Sequence, residues 1–280
     1  MKRDNHLLAA RALESRPAAA QALPWPPGVE AETAGTMAAP ASGQVVALPP
    51  YLVKYYWWAY LWRPAVWFFD HQPIINAIVF GQYAKLRDAT LDLLGAKDAG
   101  STLLVASAYG NFIPHLTAAL DGQPLTVIDA APIQLERAAR KVAALQSPTR
   151  VSFRCMNAER LHFGADSFRS VLLFLLLHEL PAEVRPQVLG EALRRVEPGG
   201  RLVLAEYGPR GTTHPFHRLA LMRWIFGKAE PFLPSLWDSD LDRLVAVAAH
   251  SAGKCVVREA RRTIFGGFYH ALRYRVEAAR

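Results

Sequence analysis

Thr102-Leu103-Leu104-Val105-Ala106, Leu125-Thr126-Val127-Ile128-Asp129 and Val151-Ser152-Phe153-Arg154 are short apolar runs, separated by the helix-periodic stretches Ile113–Leu120 and Pro132–Ala144. Strands covered on both faces lose their alternation while the covering helices keep one polar face, so this rhythm predicts a parallel sheet wrapped by helices. Toward the C-terminus the pattern continues with strands over Val171–Leu175 and Arg201–Glu206 and helices over Pro186–Val196, His217–Phe226 and Asp238–Ala249. Lys254–Arg262 and Gly266–Arg275 read as two antiparallel closing strands. The expectation is an α/β chain with a seven-stranded, mostly parallel sheet, helices on both faces and no internal repeat.

Outward from the same stretch toward the N-terminus, Ile74–Leu94 has helical periodicity and stops at Gly95, a suitable C-cap. Tyr55–Phe69 concentrates nine aromatic residues in fifteen, with four of the seven tryptophans. Residues 1–48 are rich in Ala and Pro and poor in large aliphatic side chains, too little apolar surface to offset ordering entropy. The chain is therefore expected as a disordered tail over 1–48, an aromatic helical cover over 49–100 and an α/β domain over 101–280.

The net charge of +8 over 280 residues belongs to the part after the tail, whose own charges cancel. It suits an anionic ligand or an acidic surface. Nucleic acid is not expected, because Arg and Lys are scattered and no RNA-binding motif accompanies the aromatics. Cys155 and Cys255 are the only cysteines, which excludes a cysteine-built zinc cluster and favours a reducing compartment. No apolar run reaches the length of a spanning helix, and the N-terminus fails as a secretory or transit signal. A bacterial cytoplasmic location is the expectation.

Chemistry concentrates at the predicted strand ends. Asp129 closes the second strand nineteen residues after Gly110, where an acidic side chain accepts hydrogen bonds from ribose hydroxyls. The simpler alternative is a cap on the next helix. Glu197-Pro198-Gly199-Gly200-Arg201-Leu202 turns into the fifth strand, and Asn157-Ala158-Glu159, Leu161, Phe163 and Ser167-Phe168 precede the fourth. These stretches resemble class I S-adenosylmethionine-dependent methyltransferases, quinone methyltransferases among them, and imply their Rossmann-like fold. The first loop departs from that pattern. Where that pattern has an acidic residue and three alternating glycines, this chain has Leu104, Ala106, Ala108 and Gly110; three of the four are replaced, so the alanines and Tyr109 narrow or re-aim the pocket for the cofactor's amino-acid end.

A closer resemblance covers residues 50–275. It rests on Tyr56-Trp57-Trp58-Ala59-Tyr60, Tyr83-Ala84-Lys85-Leu86-Arg87-Asp88, Tyr109-Gly110, Asp129 with Pro132-Ile133-Gln134, Phe174-Leu175-Leu176-Leu177-His178-Glu179, Glu230-Pro231-Phe232 with Leu236-Trp237, and Phe265-Gly266-Gly267. In these the chain resembles the rhodoquinone-biosynthesis family, RquA. The resemblance implies replacement of a ubiquinone methoxy group by an amino group, with nitrogen from S-adenosylmethionine and manganese (Mn2+) as helper. It implies Ala108, Tyr109, Gly110, Asp129, Ala130, Asn157 and Ala158 as cofactor-binding residues, and Tyr109, Asn111 and His178 as catalytic ones. The family pattern has an acidic residue after Tyr-Gly; here Asn111 keeps an oxygen but no charge.

For a metal, His178-Glu179 at one strand end and Glu206, Tyr207, His214 and His217 near the next offer carboxylate and imidazole pairs, with hydrogen bonding to neighbouring loops as the alternative. The aromatic segment, with Lys54 and Arg63, has the composition of a membrane interface as well as of a helical cover. Phe216–Trp237 could form the opposite wall of the site or an ordinary core helix. The expected partners are ubiquinone and the inner membrane surface. The competing expectations are a conventional quinone or lipid methyltransferase, with His178 as base, and a non-catalytic quinone- or lipid-binding protein.

Overall fold

A computed structural model describes residues 47–145, 147–210 and 214–279. The expected tail, apart from residues 47 and 48, lies outside the described residues. The cover consists of α1 (Pro50–Tyr55), α2 (Trp57–Tyr60), α3 (Arg63–Phe69), α4 (Gln72–Ile78) and α5 (Tyr83–Leu94). Prolines at the first or second position open α1, α3 and α4, where a missing N–H costs nothing. One helix was expected over Ile74–Leu94, but Phe80 (φ 55°) and Gly81 (φ 73°) break it. The break turns the Phe80 ring into a cluster with Phe216 (4.8 Å between centroids) and Phe226 (5.8 Å), so packing overrides helical periodicity.

The sheet has seven strands in the order β3-β2-β1-β4-β5-β7-β6. They are β1 (Thr102–Val105), β2 (Leu125–Asp129), β3 (Val151–Cys155), β4 (Phe168–Phe174), β5 (Val196–Tyr207), β6 (Lys254–Ile264) and β7 (Tyr269–Ala278). Only β7 runs against the others: it pairs antiparallel with both β5 and β6, so β6 returns to the direction of β1 to β5. This corrects the expectation of two reversed strands. Leu104 faces Val127 in β2 and Leu172 in β4 and is fully buried, which is why an apolar residue suits that position.

β1 stops before Ala106, which takes a left-handed φ of 68°. β5 starts earlier than expected and contains the Pro198-Gly199-Gly200 turn, because pairing jumps from Phe168↔Val196 to Ser170↔Arg201. A Cβ on Gly200 would lie 2.7 Å from the Arg169 carbonyl oxygen, so the chain needs glycine there.

The remaining helices are α6 (Phe112–Leu120), α7 (Pro132–Ala143), α8 (Arg185–Arg195), α9 (Pro215–Arg218), α10 (Ala220–Ala229), α11 (Leu233–Trp237) and α12 (Leu241–Ser251). The helix expected over His217–Phe226 is thus two, parted by extended Leu219. The one expected from Asp238 starts at Leu241, because the Asp240 carboxylate accepts from the Asp242 and Arg243 N–H groups and caps it. The strand order reverses between β2-β1 and β4-β5. Such a switch point leaves a crevice at the carboxyl ends of the strands, and the site lies there.

Candidate active site

A cavity of about 310 Å³ opens over the carboxyl ends of β1, β2 and β4 and is roofed by the cover. One wall is formed by Ala106, Ser107, Ala108, Tyr109, Asp129, Ala130, Asn157 and Ala158; the opposite end by His178, Glu179, Tyr207 and Glu230. Tyr56, Tyr60, Phe69 and Ile78 close it from above. Of the sequence-predicted site residues, Ala108, Tyr109, Asp129, Ala130, Asn157, Ala158 and His178 line this one space, and Gly110 and Asn111 do not.

Asp129 does two things. Its carboxylate accepts the Ala131 N–H (2.8 Å), the turn-capping role, and the Ser107 N–H from the first loop (2.8 Å). Burial raises its pKa to about 6, against the lowering by those backbone bonds. Two carboxylate oxygens have more acceptor capacity than two backbone donors use, so Asp129 at the cavity wall fits a vicinal diol. Asn157 accepts the Glu159 N–H (2.9 Å), which shapes the turn beside it. These residues fit the adenosyl part of S-adenosylmethionine.

The first loop is held from behind. Gly110 N–H donates to Asp70 Oδ1 (3.1 Å), Asn111 N–H to Gln72 Oε1 (2.9 Å) and the Tyr83 hydroxyl to the Tyr109 carbonyl. Lys141 donates to the Gly110 carbonyl (2.7 Å) and to Asp70, while Arg137 Nη2 donates to the other Asp70 oxygen (2.6 Å). Gly110 has φ 73°, and a Cβ there would lie 2.8 Å from Gln72 Oε1. Asn111, expected at the reacting centre, instead accepts from Arg87 (2.9 Å) and turns from the cavity. The Tyr109 ring stacks on Tyr60 (5.3 Å, 14°); its hydroxyl donates to the Ala59 carbonyl (2.5 Å) and accepts from Gln134 (2.9 Å). Tyr109 thus shapes the cavity with its ring while its hydroxyl is spent on the cover. Asp70 was not singled out in the sequence; an isolated acid ending an aromatic stretch was the available signal.

At the far end Glu206 is buried and receives the Leu177 and Tyr207 N–H groups (each 2.8 Å), while its Oε1 pairs with His178 Nδ1 (2.9 Å). His178 Nε2 lies 3.9 Å from Glu179 Oε1. Burial alone would lower the His178 pKa, but the adjacent Glu206 carboxylate outweighs it and holds the imidazole at about 9. Burial pushes Glu179 up to about 8, and raises Glu230 as well. The hydroxyls of Tyr60 and Tyr56 donate to Glu179 and Glu230 respectively, the latter at 3.0 Å. At neutral pH this end therefore presents the His178 imidazolium and the protonated Glu179 carboxyl as hydrogen-bond donors.

His214 packs against the Phe265 ring (4.3 Å) instead of joining this cluster, and the side chain of His217 lies outside the described structure. Among the described residues, no group of three or more His, Cys, Asp or Glu side chains is arranged to hold a metal ion. Glu206 spends its oxygens on backbone N–H groups and His178, so the donors do not fit manganese.

Residues 103–200 match a family model described as a methyltransferase domain. No curated protein sequence matches the chain. Among solved structures, an O-methyltransferase family protein from Burkholderia thailandensis is similar at 18% identity, covering 89% of this chain and 77% of that one, with a TM-score of 0.53. A possible exported protein from Bordetella parapertussis is similar at 17% identity over 70% and 67% of the two chains, with a TM-score of 0.51. The N-methyltransferase NodS from Bradyrhizobium japonicum, in complex with S-adenosyl-L-homocysteine, has 17% identity over 75% and 90%, with a TM-score of 0.49. The fold is the Rossmann-like methyltransferase fold with a seven-stranded, mostly parallel sheet.

Proposed function

We propose that the protein is an S-adenosylmethionine-dependent methyltransferase acting on an apolar, oxygen-bearing ring compound of the quinone or lipid class. The observation that carries this reading is the single cavity that joins Asp129, where this fold would hold a ribose, to the donor-rich end around His178. S-adenosylmethionine, when bound, supplies an electrophilic methyl group.

This chain's residues do the rest. Asp129 binds the two ribose hydroxyls, and the walls at Ala130, Asn157 and Ala158 orient the adenine. The stacked Tyr60–Tyr109 pair and Phe69 exclude water and enclose an apolar ring. Glu206 fixes the His178 tautomer through Nδ1, so Nε2 is the atom that holds a proton at the acceptor end. With its pKa near 9, His178 donates to a carbonyl or phenolate oxygen at neutral pH and gains base character as the pH rises toward 9.

A second reading, amino transfer from the cofactor to ubiquinone, is favoured by one specific observation. Ala106 and Ala108 stand where this fold carries glycines, and the loop's Gly110 and Asn111 N–H groups are engaged by Asp70 and Gln72. The cofactor's amino-acid end is thereby given an unusual seat. Manganese belongs to that reading alone, and no step is derived through it.

Incubation of the protein with a short-chain quinol or quinone and doubly labelled S-adenosylmethionine, carbon-13 on the methyl and nitrogen-15 on the amine, separates the two. Methyl transfer gives a heavier product carrying carbon-13. A lighter product carrying nitrogen-15 replaces the first reading with the second. Cofactor binding without any product, with and without added manganese, removes both.

A further inference from the structure

Trp57 on α2, Trp62 between α2 and α3, and Trp67 and Phe68 on α3 are 47–58% exposed, and Leu221 and Trp224 on α10 are each 62% exposed. Single exposed apolar residues are ordinary, but these gather in two segments. Both segments reach the cavity, the first through Trp58 and Phe69 and the second through Ala229 at the end of α10. Trp58 and Ile78 both line the cavity and are 41% and 42% exposed. Ring contacts run from Phe68 through Phe69 (5.3 Å) to Trp58 (5.5 Å). On the other side Tyr55 meets Phe232 (5.2 Å), just past α10, and Phe80 meets Phe226 within α10 (5.8 Å).

Charge follows the same two segments. Residues 50–69 contain Lys54 and Arg63, residues 216–229 contain Arg218, Arg223 and Lys228, and neither stretch has an Asp or Glu. Of these, Lys54, Arg218 and Lys228 are exposed beside the aromatic surface, while Arg63 pairs with Glu136 of α7 (3.0 Å). A second copy of the chain would bring the same cations against themselves across a two-fold contact. An anionic bilayer complements both the charge and the tryptophans, which favour the headgroup level. No helix among the described residues is long and apolar enough to span it, so the mode is peripheral.

We infer that α2, α3 and α10 dock on the surface of a bilayer containing anionic lipid, with the cavity mouth turned toward the membrane. The inference does not depend on which group the enzyme transfers. It gives an apolar substrate a path from the bilayer into the cavity without crossing water.

The test is flotation of the full chain with phosphatidylcholine vesicles, with and without phosphatidylglycerol, in the absence of S-adenosylmethionine. The expected result is co-flotation with the phosphatidylglycerol vesicles that weakens with added salt. Lys54→Glu with Lys228→Glu should cut that binding by about fivefold or more per charge. The combined Trp57→Ser, Trp62→Ser and Trp224→Ser variant should lose at least about tenfold. The single Trp224→Ser variant, with circular dichroism on all variants, keeps the comparison among folded proteins. Failure of the parent to float with anionic vesicles overturns the inference, as does a folded triple variant that floats like the parent. Sedimentation showing a dimer that these same substitutions dissociate would also overturn it. Because no cofactor is present, either outcome leaves the transferase reading to its own experiment.

Discussion

At one end of the cavity the backbone of Tyr109, Gly110 and Asn111 is bonded to side chains of the cover and of α7, so the loop over β1 is a fixed surface. At the other end the buried groups His178, Glu179 and Glu230 line the cavity, with proton affinities displaced by burial and by one another. The first end is rigid because its polar atoms are spent; the second is chemically poised because its ionisable groups are desolvated but still face the space. Shape is set at the loop and reactivity at the ends of β4 and β5. The cover serves both, since Asp70 and Gln72 reach the first end and Tyr56 and Tyr60 the second.

The contrast breaks most severely at Asp70. Its carboxylate, 5% exposed, holds Arg137, Lys141 and the Gly110 N–H at once. Asp70→Ala leaves the partly buried Arg137 and a buried N–H without this acceptor, and Lys141 with the Gly110 carbonyl but no counter-charge there. The expected loss is about 2–4 kcal/mol of unfolding free energy, discounted for the residual exposure of the cations. Denaturant unfolding measures it. A loss below about 1 kcal/mol would show that the loop is not held from behind.

The poised end should reveal itself in pH dependence. Glu179 has its pKa raised from the usual 4.5 to about 8, chiefly by burial. Its contribution to stability is fully present below 4.5 and is lost as the pH rises through 8. His178, raised from 6.5 to about 9, contributes fully below 6.5 and loses that contribution through 9. The parent should therefore lose stability steadily from pH 5 to 9, each group adding at most about 1.4 kcal/mol per pH unit. Glu179→Gln should be flatter between pH 5 and 6.5 and still fall above it. Identical slopes for parent and variant over pH 5–8 would place the titration elsewhere.

Sequence periodicity located the strands and most helices, because burial on both faces or on one leaves a local mark. It failed where a distant contact decided the backbone. Phe80 breaks α4 from α5 to enter a ring cluster built from residues 216–268, which no window around Ile74–Leu94 contains. The site was legible to the same degree. Asp129 and His178 stand at strand ends, where position alone suggests a role, and both line the cavity. Asn111 stands two residues after Tyr109 in the chain, yet its side chain bonds Arg87, a partner twenty-four residues away. Asp70 offered only its place as an isolated acid at the end of the aromatic stretch, since its partners come from α7 and the first loop and only the fold brings them together.

The smallest effect separates two substitutions that look alike in the sequence. Ala106 and Ala108 both stand where this fold carries glycine, but only Ala106 adopts a left-handed φ, at 68°. An L-residue with a Cβ pays about 1–2 kcal/mol in that conformation. Glycine avoids it at the cost of about 0.5–1 kcal/mol in chain entropy. Ala106→Gly should therefore gain up to about 1 kcal/mol, roughly 1–3 °C in Tm for a chain of this size. Ala108, without a positive φ, has no strain to relieve, so Ala108→Gly should lose about 0.5–1 kcal/mol. Paired thermal melts read the sign directly. Opposite signs support a loop whose shape still carries a glycine conformation at one of the two replaced positions. If both variants shift the same way, the backbone over β1 is not strained at Ala106 and the contrast between the two ends of the cavity loses its first half.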